Sequence, residues 1–360
     1  SIGVYGASKL KVENSFVDYF KKDTEIYKGM KLIDDKLGGT TPLDIIIDFP
    51  KNDNFVEEDD LLDFGIEYDK SDYWFTKEKI DTIKQIHDHL ESYPFSGKVL
   101  SLASVVRTAE KLNHDSEFDT LELSVLYKKL PENLKDQIIK PYVLIDKNQA
   151  RITMRVIDTH PELERSKFIN DLNKYMIDNY SSSQVNISLA GILILYNNML
   201  ESLFESQIKS LSIVLLGIFF MLMLLFRSLK IAFTAVLPNM IACFVILGTM
   251  GLLSIPLDLM TITIAAITIG IAVDNSIHYV YRYREYLLNK KNHYEASNYC
   301  SNSVGIAIKN TSYTIIAGFS ILVFSNFYPT IYFGIFTALA MFIALVGSLT
   351  ILPILLKKLI

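Results

Sequence analysis

Long runs without a charged side chain fill most of the chain after residue 207. Charged residues there bracket uncharged stretches of 17, 27, 23 and 47 residues, the third interrupted only by Asp274. A helix that crosses a bilayer needs about 20 mostly apolar residues, and the longest stretch holds two such helices with a turn near Asn326–Pro329. The sequence therefore predicts five membrane-spanning helices, at about 208–226, 231–253, 258–282, 310–326 and 331–356.

The charge of the chain changes at the same place. Residues 1–206 carry 25 lysine and arginine residues against 36 acidic ones, a net charge of −11, whereas residues 207–360 carry 10 against 4, a net charge of +6. Such a shift marks a change of solvent between two domains. We predict a polar domain over residues 1–206 and a transmembrane domain over 207–360. Cys243 and Cys300 lie outside the polar part, whose size allows a core without disulfides.

Basic residues in the short connections predict the orientation. They lie in the first and third connections and after the last helix, whereas the second and fourth connections contain no lysine or arginine. Cytoplasmic loops carry the excess of lysine and arginine. We therefore expect residues 1–206 on the outer side and the C-terminus in the cytoplasm. The basic residues concerned are Arg227, Lys230, Arg282, Arg284, Lys290, Lys291, Lys309, Lys357 and Lys358.

The polar domain alternates strand-like and helix-like segments. β-Branched runs predict strands at 43–49, 97–101, 149–158 and 185–190, and amphipathic periodicity predicts helices at 77–92 and 161–179. A further helical insertion is expected near 102–138. The order β-α-β, insertion, β-α-β is typical of a split βαβ, or ferredoxin-like, sandwich. The predicted fold class is therefore an α+β membrane protein with this outer domain and a five-helix bundle.

Asp274 is an acidic residue inside a predicted membrane-spanning helix, where burying a carboxylate in lipid costs free energy. It lies eight residues before Arg282, roughly 12 Å along the helix from its cytoplasmic end. A carboxylate at such a depth costs on the order of 3 kcal/mol and usually handles ions or protons. Thr263, Ala266, Gly270 and His278 share its helical face, which is small or polar as in a helix–helix contact. Histidine as a residue type ordinarily changes charge near neutral pH, so His278 is either a relay partner or an imidazole at the membrane interface.

The following helix offers hydroxyl groups at a similar depth. Thr311, Thr314 and Gly318 form one stripe there, and the threonine hydroxyls either face Asp274 or bond back to carbonyls of their own helix. Pro238 predicts a kink in the second helix. Asn239 beside it either pairs the backbone groups freed by the kink or joins the polar contact, and we favour the first role.

Motifs for nucleotide binding and hydrolytic catalysis are missing from the sequence. There is no GxxxxGK[ST], nucleophile elbow, HExxH or spaced Cys/His metal set. We expect neither enzyme activity nor a cofactor, metal or nucleic-acid partner. Energy for any transport must then come from an ion gradient or from another chain.

Four segments carry a resemblance to a known superfamily. The run GIAVDNSIHYVYRYREYL (270–287) resembles the fourth helix of RND transporters of the MMPL branch, whose usual pattern is G-x-G-x-D-Y-x-I-H followed by R-x-x-E. TSYTIIAGF (311–319) resembles the fifth helix, and LGGTTPLDIIIDF (37–49) and LAGILILYNNM (189–199) resemble the two ends of a porter domain. The branch includes hopanoid and other lipid exporters, with Patched-like and sterol-sensing relatives.

The resemblance implies roles for individual residues. Asp274 would be the proton-relay carboxylate, with His278, Asn275, Thr311 and Thr314 around it and with Gly270 and Gly318 in helix packing. Asn275 departs from the family pattern, which has an aromatic residue or a second acid there. Because the family repeats this unit twice, the sequence resembles one half, in particular the second. The other half, membrane lipids and further copies of the chain are the expected partners.

The function that follows is a proton-driven exporter of lipids or other hydrophobic molecules in a bacterial inner membrane. Protonation of Asp274 would let the helices repack and would move the outer domain by alternating access. Two alternatives stay open: a sterol-sensing or receptor-like protein without transport, and an auxiliary motor of protein secretion. An inactive half or a purely structural subunit is a further reading.

Overall fold

A computed structural model describes residues 5–6, 15–50, 74–180, 185–255, 258, 260–290 and 292–359. The chain divides into two compact units. The mixed unit comprises Glu25–Asn198, and the helical unit comprises Met199–Ile360 together with Ser1–Thr24. The described residues 15–24 fall in the helical unit by this division, and the domain boundary predicted from the charge pattern, after residue 206, stays a prediction.

The mixed unit contains one antiparallel sheet. Its strands are β1 (Thr41–Asp48), β2 (Ser96–Leu100), β3 (Val143–Leu144), β4 (Gln149–Val156) and β5 (Asn186–Ala190). The strand order is β2-β4-β1-β5, and β3 pairs with β4. Each of the four predicted strand runs overlaps a strand of this sheet, and only the two-residue β3 has no counterpart in the prediction.

Helices supply the other layer of the mixed unit. The longer α-helices of this unit are α1 (Glu25–Lys36), α2 (Lys77–Glu91), α3 (Leu102–Leu112), α4 (Thr120–Lys129) and α5 (Arg165–Tyr180), and all but α1 contribute residues to the buried core. Alternate residues of β1 and β4 point into the core, where Ile45 lies opposite Ile152. Ile83 and Ile86 of α2 and Leu172 of α5 belong to the same buried cluster. A sheet with one apolar face and helices that cover it is a stable two-layer arrangement.

The helical unit contains five helices long and apolar enough to cross a membrane among the described residues. The α-helices that follow β5 in the chain are α6 (Ile192–Phe226), α7 (Leu229–Leu252), α8 (Ile264–Lys290), α9 (His293–Asn302), α10 (Val304–Ser320), α11 (Tyr328–Val346) and α12 (Leu352–Leu359). A π-helical turn, Gly347–Ile351, joins α11 to α12.

Helix α6 begins well before the predicted residue 208. The prediction used the charged residues on either side of an apolar run, which locate only the part of a helix that suits lipid. The helical hydrogen bonds of α6 also continue through the polar segment before that run. Asp258 accepts hydrogen bonds from the backbone N–H groups of Met260 and Thr261, both at 2.8 Å, and so caps the turn before α8.

The three central helices of the bundle are α7, α8 and α11. About half or more of the apolar window of each is buried, against 6% for α6 and 11% for α10. The five helices therefore leave a large apolar surface exposed. We define the basic end of the bundle as the end at which Arg227, Lys230 and Arg282 lie.

Candidate functional site

Asp274 and His278 lie one turn apart on α8. The Asp274 Oδ1 atom is 3.4 Å from the His278 Nε2 atom, and the two side chains are 68% and 64% exposed. Both residues lie within the membrane-spanning part of the helix, Thr261–Leu288. The helical periodicity that grouped these residues on one face agrees with their common exposure.

An acid and an imidazole on the outer surface of a spanning helix would contact lipid directly if nothing covered them. Charged side chains in membrane spans almost always face a protein interior or a water-filled cavity. Exposure of the ionised Asp274 side chain to lipid alone would therefore be unfavourable.

Gly270 and Gly318 lie exposed on α8 and α10. Apart from the backbone of its own helix, a Cβ atom added at either glycine would meet no atom within 4 Å in the described part of the chain. Their predicted role in helix packing thus has no partner among these residues. It stays a prediction about contact with a further protein surface, where a missing side chain allows close approach.

The hydroxyls of Thr311 and Thr314 are bound within α10. The Thr311 hydroxyl donates to the Ala307 carbonyl at 3.0 Å, and the Thr314 hydroxyl donates to the Asn310 carbonyl at 2.9 Å. Both side chains are exposed. Of the two alternatives that the sequence left open, the structure therefore has hydrogen bonds from the hydroxyls back to their own helix. An oxygen lone pair of each hydroxyl can still accept a hydrogen bond from a water or a protonated acid.

Asn275 lies on another face of α8 from its neighbour in sequence. It is buried, and its Nδ2 atom donates to the Ser312 hydroxyl of α10 at 3.5 Å. One residue along a helix turns the side chain by about 100°, since 3.6 residues complete a turn. Asn275 therefore links α8 to α10 instead of sharing the exposed surface of Asp274. Ser312 was missed in the sequence because a single serine in an apolar helix gives no spacing signal.

The family comparison matches the region that contains all of these residues. The MMPL family model covers residues 146–359, more than half of the chain. This chain belongs to the MMPL family. The RND-type resemblance of the sequence is thereby confirmed.

Two relatives extend the comparison beyond the family model. A membrane protein of Methanocaldococcus jannaschii is 24% identical over 355 residues, which cover 96% of this chain and 84% of that protein. The apo-petrobactin exporter of Bacillus anthracis is 25% identical over 244 residues, which cover 66% of this chain and 32% of the exporter. The matched region thus spans about a third of the exporter's length.

Family and structure together make this MMPL protein a membrane transporter of the RND/MMPL type. Its mixed helix-and-sheet architecture with five apolar helices agrees with that class. None of the described residues form a cluster of three or more histidine, cysteine or acidic side chains with the geometry of a metal site.

Proposed function

We propose that this MMPL protein is an exporter driven by a proton gradient, with Asp274 as the group that carries the proton. The observation that supports this most directly is the exposed carboxylate within a membrane-spanning helix, with an imidazole nitrogen 3.4 Å away. A carboxylate in that setting is expensive to keep unless it serves ion or proton transfer.

Protonation of Asp274 would change the energetics of the face on which it lies. The ionised form needs water or a positive partner, and His278 one turn away is the nearest group able to become positive. The neutral form can be covered by apolar surface. An equilibrium between a hydrated and a covered arrangement would couple proton binding to helix movement, as alternating access requires.

The face of Asp274 needs a second protein surface to complete it. We propose that a second five-helix unit, either the other half of a larger transporter or another copy of this chain, packs against α8 and α10. The open positions of Gly270 and Gly318 support close approach there. The Thr311 and Thr314 hydroxyls would then line the covered space at about the depth of Asn275 and Ser312.

The mixed unit would act as the outer, porter domain. Its strand order, β2-β4-β1-β5, with α2 between β1 and β2 and α5 between β4 and β5, supports the ferredoxin-like assignment. Basic residues at one end of the bundle support a cytoplasmic location of that end and of the C-terminus. The proposed site of action is a bacterial inner membrane, with residues 1–206 on the periplasmic side.

For the substrate we propose lipids or other hydrophobic molecules, the class that the RND/MMPL resemblance implies. The Bacillus anthracis relative exports apo-petrobactin by its name. This relative's name supports export as an activity, and the RND/MMPL resemblance suggests a second class of substrate to test.

The deciding experiment measures proton flux in liposomes that contain the full protein under an imposed pH gradient. Asp274→Asn keeps the shape of the side chain but cannot ionise, so flux and substrate export should both vanish while the protein still inserts. Glu285→Gln is the matched control, because Glu285 lies on the same helix in an exposed ion pair with Arg282. Unchanged flux in Asp274→Asn would refute the proposed relay.

A further inference from the structure

A second group of polar side chains lies inside the bundle, away from the exposed face of Asp274. Asn239 of α7, Ser276 of α8 and Ser348 of the π-helical turn are all fully buried. The Asn239 Nδ2 atom donates to the Ser276 hydroxyl at 3.4 Å. We call these three residues the polar layer.

Packing places the three side chains at one level. Ala242, Ala272 and Ala344 form a small buried cluster between α7, α8 and α11. On α7, the residue one turn closer to the basic end than Ala242 is Asn239. Helices α8 and α11 run antiparallel to α7, so the residues one turn closer to that end than Ala272 and Ala344 are Ser276 and Ser348, four positions later in the sequence.

A close backbone contact supports the same register. A Cβ atom added at Gly347 would lie 3.0 Å from the Pro238 Cβ atom. Asn239 and Ser348 are the residues that follow these two in sequence. The Asn239 and Ser348 side chains therefore come from backbone segments that pack directly on each other.

Two oxygen atoms of the polar layer lack a hydrogen-bond partner among the described residues: Asn239 Oδ1 and Ser348 Oγ. A third acceptor is expected nearby, because Pro238 has no N–H group and so frees the carbonyl of Thr234 in the preceding turn. Buried polar groups without partners are costly, so native proteins pair them with protein groups or with ordered water.

We propose that the polar layer binds a water molecule that bridges Asn239 Oδ1 and Ser348 Oγ. A water can donate to the amide oxygen, exchange a hydrogen bond with the hydroxyl and donate to the Thr234 carbonyl. Three partners are typical of a buried water. The ligand is water and not a cation, because the layer holds only neutral groups and an unpaired charge buried there would be far more costly. Asp274 cannot balance that charge, since it lies on the opposite side of α8.

The bound water would join three helices at a point where two of them are irregular. Pro238 lies within α7, where its missing N–H group leaves one helical hydrogen bond unmade, and the π-helical turn Gly347–Ile351 follows α11. π-Helical turns and proline kinks are places where helices bend. A water can keep its hydrogen bonds through small shifts of these segments, which a direct side-chain contact would resist. This inference does not depend on the proposed transport function.

Thermal unfolding of the full chain in detergent tests whether the polar layer contains the water. Asn239→Leu and Ser348→Ala should each lower the midpoint temperature of unfolding by about 3 °C, since each removes a hydrogen bond to the water and leaves other groups unpaired. The double variant should lose less than the sum, because both changes disrupt the same water. Ser348→Ala adds no atoms, so it serves as the test if the larger leucine misfolds.

Thr337→Val is the matched control. The Thr337 hydroxyl is also buried with no hydrogen-bond partner among the described residues, but Phe336 beside it and Ala340 one turn along the helix belong to a separate hydrophobic cluster. Valine should therefore leave the midpoint unchanged or raise it. An unchanged or raised midpoint in Ser348→Ala, or strictly additive losses, would overturn the bound water. Stabilisation by NaCl over choline chloride at equal ionic strength, lost in Asn239→Leu, would instead identify a sodium site.

Discussion

The Asp274 carboxylate lies 3.4 Å from the His278 imidazole, and neither side chain is covered by the rest of the described chain. A pair one turn apart on a helix surface is worth only a few tenths of a kcal/mol in water. The same pair inside a closed, low-dielectric contact between two membrane units interacts much more strongly. The importance of His278 therefore depends on what covers this face.

His278→Gln should slow proton flux roughly tenfold without abolishing it. Glutamine keeps a hydrogen-bond donor but cannot become positive, and hydrogen bonds to charged groups contribute about 1.5–3 kcal/mol. The liposome assay measures this directly. Tyr281→Phe, a change at an exposed residue of the same helix, should have no effect. Flux equal to wild type in His278→Gln would leave His278 as an interfacial side chain.

A cysteine in place of Gly270 should cross-link two units through the face of Asp274. Both native cysteines are buried, and burial raises the pKa of the Cys300 thiol to about 11, which keeps it protonated and unreactive at neutral pH. We expect a dimer band after oxidation in membranes from cells that express this chain alone. Phe233→Cys, at an exposed apolar position of α7, is the control, and a band from that position instead would contradict the proposed interface.

Replacing Asp34 should destabilise the mixed unit. Its buried carboxylate accepts hydrogen bonds from the backbone and the hydroxyls of Thr40 and Thr159 and from the Asp158 backbone, at 2.7–3.0 Å. Asp34→Ala leaves these donors unpaired and should cost about 3 kcal/mol or more. Hydrogen exchange at the Asp158 and Thr159 amides should then accelerate, whereas Asp35→Ala, at an exposed neighbour, should leave it unchanged.

The same carboxylate predicts the acid sensitivity of this unit. Burial raises the pKa of Asp34, but hydrogen bonds from Thr159, Asp158 and Thr40 together outweigh it and hold the pKa below its usual 3.8. A lowered folded-state pKa stabilises the fold above pH 3.8, and this stability is lost as the pH falls further. Below about pH 4, the protection of the Asp158 and Thr159 amides against hydrogen exchange should therefore fall more steeply with pH in the wild type than in Asp34→Asn. The same dependence of protection on pH in both proteins would argue against Asp34 as the acid-sensitive group.

Gly39→Ala should prevent the mixed unit from folding. Gly39 has a φ of +99°, and an added Cβ atom would lie 2.3 Å from the Val156 carbonyl oxygen. Alanine would be strained at this φ, and its Cβ atom would also clash with Val156, because β4 cannot move away without leaving β1. Gly29→Ala in α1 is the control: apart from its own helix backbone, the added Cβ meets none of the described residues within 4 Å, and alanine should stabilise that helix by about 0.5–1 kcal/mol. Limited proteolysis of the two variants distinguishes these outcomes.

Arg284→Ala should destabilise the helical unit by about 2 kcal/mol, since Arg284 donates to the Phe226 carbonyl at the end of α6 at 2.8 Å. Arg282→Ala is the control, because its ion pair with Glu285 is exposed and solvent screening leaves such pairs with little effect on stability. Thermal unfolding in detergent should rank the variants in that order. The reverse ranking would show that the α6 carbonyl has another partner.

The sequence alone predicted most of the architecture. Apolar runs of lipid-spanning length located the five helices, because a helix pairs its backbone groups within a single segment and so suits a continuous apolar run in lipid. Alternating β-branched residues located β1, β2, β4 and β5, and the motif around Asp274 and His278 predicted the family that the comparison confirmed. These properties are local, so a single segment is enough to reveal them.

Only the tertiary structure decided which polar residues meet. Asn275 and Asp274 are neighbours in sequence but lie on different faces, and Ser312 became a partner through the packing of α10 on α8. Asn239, Ser276 and Ser348 come from three separate segments, and nothing in their spacing joins them. Their common level depends on helix direction and rotation, which arise from the packing of many side chains at once and not from any local pattern.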